Sequence, residues 1–243
     1  MREWLTAALL GSAEDLPEDF EGYVLGRGLP SVLVEEMRIG VWRPPETSAP
    51  DEGFTKQHGR RGLGEWREGW MTVPLWSPRG RLVGVEFRKW DGVKEIQEFR
   101  LPDAKWNPVF IGLTPSALQK IWTGGNVWLV EGVFDIALAH VIPETDVALG
   151  CGTARITKNQ INFLVRFLSP SAMVYVAFDE DETGRKQSLG YTDEKTGRWV
   201  SGVPQRLEKV GVRARSIRYR GGKDPGEIWE KGGRSALVSA FNL

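Results

Sequence analysis

The chain has 243 residues, 41% hydrophobic and 26% charged, with 32 basic and 32 acidic side chains, enough apolar content for a buried core and no net charge. No run approaches the roughly 18 uninterrupted apolar residues of a membrane-spanning helix. A single cysteine excludes an internal disulfide and a four-cysteine zinc site, two histidines are too few for a histidine-based metal site, and a reducing compartment such as a cytoplasm is expected.

The neutral total conceals segments of opposite sign. Residues 1–55 carry 4 basic and 11 acidic side chains, residues 56–105 carry 11 and 7, and residues 205–243 carry 9 and 4. A polyanion would meet these patches rather than the total, although charge alone suits a solvated surface better.

In chain order, Met1–Leu10 suggests an amphipathic helix rather than a secretory signal. Ser31–Gly40 predicts a second helix, opened by Ser31 as N-cap and closed by glycine. Pro44-Pro45 begins a polar loop through Gly64. Met71–Trp76 and Leu82–Arg88, joined by Ser77-Pro-Arg-Gly80, predict a β-hairpin, followed by short strands near Ile96–Leu101 and Val109–Gly112.

From about Ser116 the pattern becomes strand, turn, helix, repeated. Asn126–Val130, Asp146–Leu149 and Met173–Phe178 are short apolar runs of the kind buried on both faces, and Arg213–Tyr219 alternates as a fourth strand. Helices are predicted over Val133–Val141, over Lys158–Leu168 behind a Thr157 cap, and over Gly226–Lys231 behind Asp224-Pro225. The order implies an α/β fold with a parallel sheet.

The carboxylates occupy a telling place in that order. Glu131 follows one apolar strand directly; Asp179 follows another, with Asp181 two residues on and Asp135 in the first turn after Glu131. Ligands of open parallel sheets bind beyond the carboxyl ends of the strands. Acids gathered there repel one another unless a cation lies between them, and oxygen donors suit magnesium or manganese. Each acid alone also has a reading as a plain helix cap. Gly150-Cys-Gly152-Thr153 suits either a tight turn or a phosphate cradle, and Cys151 reads as a buried filler.

Glu131-Gly-Val-Phe-Asp135 resembles the EGxxD element of TOPRIM domains, and Asp179-Glu-Asp181 with Gly184-Arg185-Lys186 resembles their DxD element. Leu149-Gly-Cys-Gly-Thr153 through Thr157 and Gln160, Gly222-Lys-Asp-Pro-Gly-Glu227, and the hairpin Val73–Arg88 resemble segments of DNA primases of the bacterial DnaG type, over residues 21–235 or so. That resemblance, to a bacterial or a minimal viral version, implies a mixed α+β subdomain at 1–115 for template and nucleotide, and a TOPRIM metal-binding domain at 116–243. It implies synthesis of short RNA primers from nucleoside triphosphates on single-stranded DNA in the cytoplasm of a bacterial or phage-infected cell. Glu131, Asp179 and Asp181, helped by Asp135 and Asp224, would hold Mg2+ or Mn2+. Arg79, Arg81, Arg88 and Lys89 would line the template track, and Arg185, Lys186 and Lys223 would contact phosphates, or any of them would be plain surface. A replicative helicase or a separate zinc-binding module would be the protein partner.

The chain departs from the family pattern in places. Gly226 stands for the second acid of the GKDPDE-like element, Trp70 for an arginine ahead of the hairpin, and the usual lysine near Phe99 is absent. Asp224, in a glycine-flanked turn without its companion, is accordingly expected to hold a metal less firmly than Glu131 or Asp179. Residues 188–201 interrupt the helix after the DxD element, with Asp193 to Gly197 as the turn of an inserted hairpin. A TOPRIM nuclease and a non-catalytic nucleic-acid-binding or replisome-docking module remain the rival readings.

Overall fold

The computed structural model describes residues 2–14, 16–43, 68–91, 95–101 and 110–243. The expected Pro44–Gly64 loop lies outside them. Among the described residues no helix is long and apolar enough to cross a membrane.

Three helices open the chain: α1 (Arg2–Ser12), α2 (Glu18–Gly26) and α3 (Ser31–Met37). Ser31 is the first helical residue rather than the cap. Pro30 takes the extended cap position, and no side-chain cap bond forms there. The helix also ends before Gly40, because Arg38 adopts the left-handed conformation at φ 58° and its N–H closes on the last carbonyls.

A four-stranded antiparallel sheet follows, in the order β1 (Gly40–Val41), β2 (Met71–Trp76), β3 (Leu82–Arg88), β4 (Ile96–Arg100). The β2–β3 hairpin forms as predicted. Its turn closes through the Gly80 N–H to the Ser77 carbonyl (2.9 Å), and Gly80 sits at φ 67°, which glycine adopts at no steric cost. Met71 pairs with Arg88 at the open end. Of the strand expected at Val109–Gly112, the first residue lies outside the described residues, and among the others the pairing is a single bridge, Ile111 to Gly150.

The second sheet is parallel throughout, in the order β10 (Ala214–Ser216), β7 (Val174–Val176), β5 (Val127–Val130), β6 (Val147–Gly150). Its strands are apolar because both faces are covered. Val127 and Leu129 join one core with Ile121, Phe163, Leu164, Val203 and Leu207. Those come from α4 (Pro115–Trp122), α5 (Lys158–Phe167) and α7 (Val203–Glu208). Trp128 and Val130 point the other way, into a core shared with the antiparallel sheet and α1–α3. Thr157 caps α5 in a full capping box with Gln160, as its sequence suggests.

Phe134–His140, predicted as an α-helix, is a 310 helix. Five of its seven residues are buried, and a 310 run of that length is longer than the usual single turn. The last helix, α8 (Pro225–Phe241), is longer than expected; it is broken at Gly232 and Gly233, the latter at φ 58°. The insertion after α6 (Glu182–Leu189) is the predicted hairpin, β8 (Tyr191–Thr192) with β9 (Trp199–Val200).

Candidate metal centre and cleft

From β5 the chain passes to β6 on one side, while β7 lies on the other, so a crevice opens beyond the carboxyl ends of β5 and β7. Glu131 and Asp179 project there. Glu131 Oε1 accepts the Asp179 N–H at 3.0 Å, joining the two strand ends. Gly184 allows α6 to start against them: a Cβ there would overlap the Asp179 carbonyl oxygen and lie 2.8 Å from Glu131 Oε1.

The carboxylates of Asp135, Asp179 and Asp224 converge, each offering an oxygen within 4.8 Å of the others. Asp135 is buried in the first turn of the 310 helix and oriented by the Gly132 N–H at 2.7 Å. Asp224 caps α8 by accepting the Glu227 N–H at 2.7 Å. Asp181 differs, because its Oδ1 caps α6 by accepting the Gly184 N–H at 2.8 Å. Lys223 reaches across to Asp179 (3.1 Å) and Asp181 (3.6 Å). Asp179 and Asp181 therefore belong to one charge cluster, but Asp181 stands outside the convergent trio.

Burial, then the neighbouring Asp179 charge, pushes the Glu131 carboxyl up to about 7. Burial and the charges of Asp224 and Asp179 raise Asp135 as well. Asp179 is raised by burial in spite of its Lys223 partner, whereas the Gly184 N–H holds Asp181 below the usual range. Carboxylates raised by burial and mutual repulsion favour the charged form once a cation joins them. The all-oxygen donor set of Asp135, Asp179 and Asp224, with Glu131 adjoining, fits a hard divalent ion.

These acids form one wall of a cleft of about 440 Å3, and the antiparallel sheet supplies the other. Arg88 and Lys89 line it, as do Gly152, Thr153 and Lys223. Arg88 pairs with Glu86 at 3.2 Å and lies over the Phe134 ring at 5.0 Å, while Lys89 pairs with Glu95 at 3.2 Å. Arg79 and Arg81 are not brought there. They sit at the far tip of the hairpin, where Arg79 borders a different cavity beside Trp76 and Trp122. Arg185 is exposed on α6 and Lys186 pairs with Glu182 at 2.6 Å, both outside the cleft lining. Cys151 is buried, and burial pushes its thiol well up, as befits a filler.

Sequence reasoning passed over Arg27 and Tyr23, which line the cleft from α2 and its end. The Arg27 guanidinium lies 4.3 Å from the Phe134 ring centroid and pairs with Glu230. No pattern in the sequence marked them; Gly28, at φ 85° and with room for no Cβ (Trp229 at 2.6 Å, Ala137 at 2.7 Å), permits the close approach beside Arg27.

Residues 128–229 match the family model described as Toprim-like. Over 233 residues the chain is 24% identical to a DNA primase of Clostridium acetobutylicum, covering 89% of this chain and 36% of that protein. The RNA polymerase domain of Mycobacterium tuberculosis primase DnaG, solved with double-stranded DNA, superposes with a TM-score of 0.69 at 19% identity, covering 98% of this chain and 78% of that one. The Aquifex aeolicus primase, with its zinc-binding and RNA polymerase domains, gives 0.64 at 22% identity over 96% of this chain and 60% of that one. The parallel-sheet half, within which that match falls, is thus similar to Toprim-like domains. Taken whole, the chain has the fold of the catalytic cores of bacterial DnaG-type primases.

Proposed function

We propose that this chain is a primase-type nucleotidyltransferase that makes short RNA primers on single-stranded DNA. The observation that carries the reading is the shared cleft, in which the carboxylates of one sheet face Arg88 and Lys89 of the other. A phosphodiester-forming site needs that pairing of a cation-holding wall with an anion-holding wall. Residues 1–115 hold template and nucleotide, and residues 116–243 hold the metal.

Asp135, Asp179 and Asp224 hold Mg2+ or Mn2+, with Glu131 orienting Asp179 through its backbone N–H. A divalent ion there supplies charge neutralisation at a triphosphate and polarises an attacking hydroxyl. Asp181 starts α6 and keeps Lys223 near Asp179, so that Lys223 meets phosphate oxygens entering the cleft. Arg27, Arg88 and Lys89 bind the anionic chain on the opposite side, and Tyr23 offers a ring to a base. The setting is the cytoplasm of a bacterial or phage-infected cell, with a replicative helicase or a separate zinc-binding module as partner.

The test supplies single-stranded template, four ribonucleotides (one labelled) and Mg2+ or Mn2+. Short labelled products that vanish in Asp179→Ala are expected. Degraded template identifies a nuclease instead, and neither product nor degradation, even with a zinc-bearing or helicase partner added, leaves a binding module.

A further inference from the structure

Tyr219, a side chain with no part in the proposed reaction, fastens the turn carrying Asp224 to the end of β7. It follows β10, is 5% exposed, and stacks on Phe241 with ring centroids 4.6 Å apart. Its hydroxyl lies 3.0 Å from the Phe178 carbonyl oxygen and 3.1 Å from that of Lys223. Phe178 immediately precedes Asp179, and Lys223 immediately precedes Asp224. One hydroxyl proton, shared in a three-centre arrangement, thus ties together the backbone just ahead of two of the three convergent carboxylates.

The surroundings hold that tie in place. The Lys223 carbonyl also accepts the Glu180 N–H at 2.7 Å. The Glu180 carboxylate is turned to the Arg218 guanidinium, with Nε at 2.7 Å, and accepts the Tyr219 N–H at 3.4 Å. Burial, with the charges of Asp135, Asp179, Asp224 and Glu180 behind it, pushes the phenol well above its usual range, so it remains a donor at any working pH.

We propose that Tyr219 is a positioning residue for the metal-holding carboxylates, its hydroxyl setting the separation of Asp179 and Asp224. This rests on the reading of Asp135, Asp179 and Asp224 as a divalent-cation site. A Cβ at Gly226 would lie 3.2 Å from Phe134 Cβ and 3.3 Å from Asp224 Oδ1, so α8 packs closely on the 310 helix there and a larger residue would push those neighbours aside by a few tenths of an ångström. The Asp224 turn draws its rigidity from this packing and from the tyrosine.

Tyr219→Phe keeps the ring and its stacking on Phe241 and removes only the hydroxyl, with thermal melting as the check of folding and amide exchange as a readout independent of metal. Without metal, amide exchange at Glu180, followed by NMR, is expected to quicken at least tenfold, and a Tyr191→Phe control is expected to leave it unchanged. With Mn2+, EPR titration is expected to show affinity about tenfold weaker, as for loss of other residues that orient metal ligands. Tyr219→Phe combined with Asp224→Ala is expected to lose less than the sum of the two single losses, because part of the Tyr219 effect runs through the Asp224 carboxylate. Unchanged exchange at Glu180 overturns the proposal, as does unchanged Mn2+ affinity, and a fully additive loss reduces Tyr219 to general support of the fold. If the parent binds no Mn2+ that Asp135→Asn or Asp179→Asn removes, the cation reading falls, and the exchange measurement still decides whether Tyr219 fixes the turn.

Discussion

Asp181 and Asp224 both cap helices, yet only Asp224 also joins the convergent trio with Asp135 and Asp179. From its glycine-flanked turn alone Asp224 is the weaker contact; its place in the convergent trio puts it on a par with Asp179. Asp224→Ala is expected to weaken stabilisation by Mn2+ in thermal melts as much as Asp179→Ala does. Asp181→Ala is expected to cost about 1 kcal/mol of stability through the lost cap and to leave measurable primer synthesis. Glu131 makes a second prediction. Its folded pKa, about 7 against an ordinary 4.5, means the native state holds its proton more tightly than the unfolded chain. The associated stability is complete below about 4.5 and is lost as pH rises through about 7. Metal-free protein should therefore melt a few degrees lower at pH 8 than at pH 5, and Glu131→Gln should lessen that dependence, with Asp135, raised likewise, supplying part of the rest. A slope as steep in the variant would assign the effect to other groups.

At the scale of elements, two close approaches make the cleft. One is the start of α6 against the end of β7, which requires Gly184. Adding a Cβ there drives a side chain into the Asp179 backbone, so Gly184→Ala is expected to cost more than about 2 kcal/mol and to remove Mn2+ binding. Wild-type melting and metal affinity in that variant would show the helix free to shift. The other is the open end of the β2–β3 hairpin, which brings Arg88 and Lys89 to the acids while its closed end carries Arg79 and Arg81 away. Reversing both Arg88 and Lys89 should weaken single-stranded DNA binding and flatten its salt dependence by about 1.4 in the log–log slope, two phosphate contacts' worth. Reversing Arg79 and Arg81 should change it less; equal effects would extend the track along the whole hairpin.

Over the whole molecule, one core links the two sheets. Phe134 of the 310 helix meets Tyr23 edge-to-face with centroids 5.7 Å apart, and the His140 ring stacks on Trp229 at 4.2 Å while its Nε2 contacts the Gly28 carbonyl. Phe110 and Leu113, ahead of the expected boundary at residue 115, pack in the core of the parallel sheet. The two halves should accordingly melt in a single transition. A fragment of residues 110–243 should melt at a lower temperature and bind a hydrophobic dye, having lost its cover over the 310 helix. Two separate transitions in the parent would mark independent units.

Alternation and apolar runs, with the turns between them, were enough to determine the parallel sheet, the β2–β3 hairpin, the Thr157 cap and the inserted hairpin, because local period and turn chemistry dictate such elements. They also placed Glu131 and Asp179 at strand ends, since a carboxylate directly after a buried run has nowhere else to go. The tertiary structure alone decided which acids meet. Asp135 and Asp224 are 89 residues apart in sequence, and only the packing of α8 on the 310 helix brings them to Asp179. It likewise brought Arg27 into the cleft, left Arg79 and Arg81 out, and set Tyr219 between two carbonyls, because a side chain's partners across a fold depend on how elements stack, and sequence spacing carries no record of that.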